Sequence, residues 1–127
     1  MDIEFDRPLF IESAKLKISG SQKRKLYSYI RQIAGRINDE IIEAKRSDLT
    51  KLHTKMPSIY SIEGLSNKIC QTTIWSKLIE ELEIQGFEVQ LEPDRNECKM
   101  HISWLTEQES RKVKKMLNII ASHTKSF

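Results

Sequence analysis

The sequence predicts an α+β fold: a small antiparallel sheet, made of a β-hairpin and one further strand, packed by two helices and preceded by a long amphipathic helix. Three observations predict it. The stretch "GFEVQLEPDRNECKMHISW" (86–104) alternates apolar and polar residues on both sides of Pro93-Asp94-Arg95-Asn96. Strand periodicity puts Phe87, Val89 and Leu91 on one face, and Cys98, Met100, Ile102 and Trp104 on one face of the return. Three other segments repeat apolar residues at steps of three and four, the helical period. The segment 48–56 alternates again and ends at Pro57, a residue that terminates strands.

Residues 1–20 read as an apolar leader or docking arm, and 21–127 as a single domain. Phe5, Leu9, Phe10 and Ile11 precede the first regular element, and Pro8 pushes Arg7 away from helical backbone. "AKLKIS" gives a short strand signal. Such a leader needs a surface, in its own core or on another chain. The long helix follows, with Ser21 as its expected N-cap. Leu26, Ile30, Ile33, Ile37, Ile41 and Ala44 share one stripe. At the usual rise it is about 40 Å long. That stripe suits either a core or a partner helix. Gly35 lowers its helix propensity mid-way.

In the strand at 48–56, Thr50, Leu52, Thr54 and Met56 share one face and Lys51, His53 and Lys55 the other. Ile59, Tyr60 and Ile62 form a linker tacked over the core. A second helix is expected over 65–85, carrying Leu65, Ile69, Trp75, Leu78, Ile79 and Leu82 and ending at Gly86. In the hairpin, pairing Leu91 with Cys98 sets Val89 opposite Met100, Phe87 opposite Ile102, Glu88 opposite His101 and Gln90 opposite Lys99. The basic strand 51–55 would lie beside the acidic first strand of the hairpin. Thr106 and Glu109 form a capping-box pattern for a last helix over 106–121, with Val113, Met116, Leu117 and Ile120 on its apolar side. The 66–85 and 106–121 helices are expected on the sheet, with the long first helix projecting or pairing.

Composition excludes several classes. Charged residues make up 31% and hydrophobic residues 39%, with a formal charge of +3, an ordinary globular balance. No apolar run reaches the ~20 residues of a membrane span. Asp2, Glu4 and Asp6 stand where a secretory signal needs basic residues, so secretion is not expected. Cys70 and Cys98 are expected as buried hydrophobes. His53, His101 and His123 share no zinc-ligand spacing with them. No phosphate-cradling glycine loop, catalytic residue, metal ligand or cofactor site emerges, so no cofactor, no small-molecule substrate and no enzyme activity are expected. Two basic runs remain as candidate nucleic-acid contacts. Lys23, Arg24, Lys25 and Arg31 interleave with Tyr27 and Tyr29; Arg111, Lys112, Lys114 and Lys115 lie in the last helix. The candidate protein-interface residues are Phe5, Leu9, Phe10, Ile11, Ile30, Ile33, Ile37 and Ile41.

The phrases Leu82-Glu83-Ile84-Gln85-Gly86-Phe87-Glu88-Val89 and Ile102-Ser103-Trp104 are similar to those of small, poorly characterised proteins of large nucleocytoplasmic DNA viruses. The likeness covers roughly residues 37–113 and carries over no catalytic residue. It implies a virion-associated or host-interacting factor, in the virion or the host cytoplasm. The expected function is therefore a non-enzymatic structural or interaction protein that docks on other protein subunits through its leader and long helix. The alternative is a winged-helix-like nucleic-acid-binding factor, with 71–85 as reader and the hairpin as wing.

Overall fold

Ser19 starts the first helix. Its hydroxyl accepts the Gln22 N–H at 3.1 Å while the Gln22 side chain accepts the Ser19 N–H at 2.9 Å. This reciprocal cap displaces the expected one at Ser21, which falls inside the first turn. The computed structural model describes residues 18–93 and 97–124. Helix α1 (Gly20–Arg46) leads to β1 (Lys51–Met56), α2 (Asn67–Ile84), β2 (Glu88–Pro93), β3 (Cys98–Ser103) and α3 (Glu107–Thr124). Residues 1–17 of the leader, with Phe5, Leu9, Phe10 and Ile11, lie outside the described residues, as does the tip 94–96, while Ile18 packs against the core.

The α+β class holds, with an antiparallel sheet ordered β1-β3-β2. Two details differ from expectation. Val89 pairs with Ile102, Leu91 with Met100 and Pro93 with Cys98, a register shifted by two residues. Because side chains alternate with a period of two, the shift keeps the apolar face intact. It also brings Glu92 opposite Lys99, and Pro93 is tolerated because β2 is an edge strand. The basic strand β1 pairs with β3, not with the acidic β2, so His53 stands opposite His101 and Lys55 opposite Lys99. The strand that fits between them supplies Met100 and Ile102, the most buried residues of the sheet.

One face of the sheet is covered by α1, which packs on β1 and α2, and by α2, which packs on β2. Leu26, Ile30, Ile37, Ile74, Leu78, Leu82, Met100 and Ile102 are sealed from solvent. Each such side chain is worth about 1.5–3 kcal/mol when buried. The long helix is therefore the lid of the sheet and does not project. Ile30, Ile33, Ile37 and Ile41, candidates for a partner surface, belong to this chain's own core. An isoleucine stripe of that length finds more apolar area on the adjacent sheet and helix than any open position leaves it.

Helix α2 buries one broad face against α1 and the sheet. Cys70, Thr73, Ile74, Lys77, Leu78, Glu81 and Leu82 are all buried. Its two buried charges pair, Lys77 Nζ lying 3.2 Å from Glu81 Oε1 one turn on. The linker 57–66 is fastened along its start. Asn67 accepts the Tyr60 N–H at 2.8 Å and donates to the Ser58 carbonyl at 2.8 Å; Gln71 donates to the same carbonyl. Tyr60 and Ile62 reach the core, whereas Ile59 is 81% exposed.

Candidate interaction surface

The last helix is the exception to this packing. Thr106 Oγ1 accepts the Glu109 N–H at 3.1 Å, as the capping pattern requires. Glu107 and Glu109 sit in the first turn, where the helix dipole favours anions. Beyond that turn the helix touches no other described element. Every residue from Arg111 to Ser122 is exposed. Val113, Met116, Leu117 and Ile120 are 41%, 62%, 58% and 57% exposed, where the expected packing on the sheet would have hidden them. The inner face of the sheet is already filled by α1 and α2. The outer face offers Lys51, His53, Lys55, Glu88, Gln90, Glu92, Lys99 and His101 in place of apolar surface.

Helical geometry organises α3 into two sides. Val113, Met116, Leu117 and Ile120 fall within an arc of about 100°. Lys112 and Lys114 flank that arc, and Arg111 and Lys115 stand opposite it. Ile119 is exposed outside the arc. At the root of α3 a groove of about 700 Å³ opens between it and the end of α1, walled by Leu49, Trp104 and Leu105 with Lys45, Arg111 and Lys114 at its rim. Lys45 Nζ sits 5.7 Å above the Phe87 ring and 5.9 Å above Trp104. Those two rings meet edge-on at 6.0 Å. Arg111 is tied to Glu107 at 2.8 Å one turn back.

The two basic runs do not converge. Arg31 and Lys45 are separated by about 21 Å along α1, and the α3 run lies beyond Lys45. Arg24, Lys25 and Arg31 are exposed and Lys23 is half-buried. The tyrosines between them are not free to stack on bases. Tyr27 is buried, and Tyr29 meets Tyr60 edge-on at 5.0 Å and accepts the Ser61 N–H. The linker takes one flank of α2 through Asn67, Gln71 and Trp75, and the face left to solvent carries Glu80 and Glu83 beside Lys68 and Thr72.

Nucleophile and base are kept apart as well. Cys70 and Cys98 are free, buried thiols, and desolvation raises the pKa of each above the ordinary range, which disfavours the reactive thiolate. Cys98 points into the core, while His101, three residues along the same strand, points to the opposite face. No helix among the described residues is long and apolar enough to cross a membrane. Comparison with protein-family models, with curated proteins and with solved structures gave no match.

Proposed function

We propose that the protein is a non-enzymatic interaction component whose docking element is α3, seated in an apolar groove with an acidic rim on a partner protein. One observation carries this reading: an 18-residue amphipathic helix whose Val113, Met116 and Leu117 are exposed with no described element against them. Helices of this kind draw most of their stability from packing such an arc, so Val113, Met116 and Leu117, exposed with no described element packed on them, support docking on a partner. The lysines flanking it select an acidic rim. The buried thiols support the non-enzymatic part. The setting, a virion or an infected cell, rests on the viral resemblance of the 82–89 and 102–104 phrases alone.

A photo-crosslinking amino acid at Leu117 tests it in the native source, with one at Gln90 as control. Leu117 should yield an adduct of discrete mass and Gln90 none, and Lys112→Glu with Lys114→Glu should reduce that adduct strongly. An adduct only with a second copy, matched by a dimer in light scattering, would make the partner this chain itself. Adducts from Gln90 alone would place docking on the sheet and refute the reading.

A second reading, nucleic-acid binding, draws on the strand order β1-β3-β2. The order matches a winged-helix sheet, with the linker 57–66 and α2 where that fold has two helices. Retention on duplex DNA that falls steeply with salt and is lost on reversing Arg24 and Lys25 would favour it over docking through α3.

A further inference from the structure

The outer face of the sheet carries a cluster that the docking reading does not use. His53 on β1 and His101 on β3 are direct cross-strand partners. Their rings lie 4.5 Å apart at 76°, with the two Nδ1 atoms in contact. On its other side, His101 Nε2 lies 2.6 Å from Glu92 Oε2 of β2. An ionised carboxylate only accepts, so Nε2 carries the ring proton and the Nδ1 of neutral His101 holds a lone pair. That lone pair points at His53. A shallow opening of about 340 Å³, bordered by His53, Thr54, Lys55, Glu92, Lys99 and His101, leaves the pair accessible.

This is the arrangement of a metal-binding histidine with its orienting carboxylate. A ligating imidazole typically donates its second N–H to a carboxylate, which fixes the tautomer and raises the basicity of the donor nitrogen. Two imidazole nitrogens bound at about 2.0–2.1 Å to one metal stand about 3 Å apart. The facing Nδ1 atoms need only a small opening to reach that separation. We infer that His53 and His101 form a two-histidine site for a divalent transition metal, with Glu92 as the positioning residue for His101.

The surroundings select among metals. Lys51, Lys55 and Lys99 share this face with Glu88, Glu92 and Glu97, and Lys55 Nζ lies 3.4 Å from Glu97 Oε1. Calcium and magnesium need several oxygen ligands, and the one carboxylate against the pair is engaged by His101. Imidazole nitrogen suits zinc, copper and nickel. Among the described residues no group of three or more His, Cys, Asp and Glu converges on one point. The chain thus supplies two ligands, and the remaining positions fall to water or to a donor from another molecule. His53 binds as the tautomer protonated at Nε2, so neutral His53 moves its proton from Nδ1 and no net proton is released.

Zinc(II) titrated into the full 127-residue chain tests the site, read by nitrogen-15 shifts of the imidazoles and by calorimetry. The Nδ1 resonances of His53 and His101 should move together and saturate at one equivalent, while His123 stays in place. His53→Ala and His101→Ala should each abolish that uptake, and Glu92→Gln should weaken it about tenfold. The shifts are read on the unmodified protein, so a misfolded variant cannot mask the result. Absence of saturable uptake, shifts confined to His123, or uptake unchanged in both alanine variants would overturn the inference.

Discussion

Tyr60 shows how one side chain joins the linker to the core. Its ring is 4% exposed, Tyr29 packs edge-on against it, and the Trp75 indole N–H donates to its hydroxyl at 3.0 Å. Burial pushes its pKa up to about 12, because the core penalises the phenolate more than the Trp75 hydrogen bond helps it. The sign follows directly. Below pH ~10 the phenol is neutral in both folded and unfolded chains, and its full contribution is present. From pH ~10 upward the unfolded chain ionises first, so stability falls until the folded pKa is passed. The loss amounts to about 2–3 kcal/mol. Urea denaturation at pH 9 and pH 11.5 should show most of that drop, about 2 kcal/mol, and Tyr60→Phe should remove the part of it due to this residue.

At the scale of elements, the α2–β2 junction depends on Gly86. Its φ of +93° lies in the left-handed region, and an added Cβ would meet nothing within 4 Å. The cost of a side chain there is conformational only. Gly86→Ala should destabilise by about 1–2 kcal/mol without moving neighbouring groups, a loss readable in thermal or urea unfolding. The glycine, the cap at Thr106 and the alternation of Phe87 to Trp104 were all legible in the sequence, because local chemistry alone dictates them. The hairpin register was misread by two residues. Both registers bury the same apolar set, and only the Glu92–Lys99 pairing and the edge position of Pro93 separate them. Harder still was the exchange of roles between α1 and α3. Each shows an amphipathic stripe, and periodicity says which side is apolar without saying what covers it. The His53–His101 pair was missed for a related reason. Both residues were correctly expected on the outer face, but β1 was set beside β2, which kept them apart.

At the scale of the whole molecule, the described residues form a three-stranded sheet under two helices, with no described element packed on the third helix. If α3 contributes nothing to the core, a chain ending at Leu105 should fold as the full chain does. Its unfolding free energy should match within about 0.5 kcal/mol. A larger loss would mean that α3 supports the fold, and the docking surface would have to be sought elsewhere. The buried pair Lys77–Glu81 belongs to the same picture, since the buried face of α2 carries two charges into the interior together. A different consequence follows from how the sheet ends. Its two outer strands could recruit further strands from other copies and grow into fibrils. On β1 the Arg36 guanidinium occupies the Lys55 carbonyl and reaches Thr54 Oγ1. On β2 the strand closes on Pro93, which has no N–H to offer a newcomer. Both edges of the sheet are thus guarded against polymerising, at β1 by an arginine and at β2 by a proline.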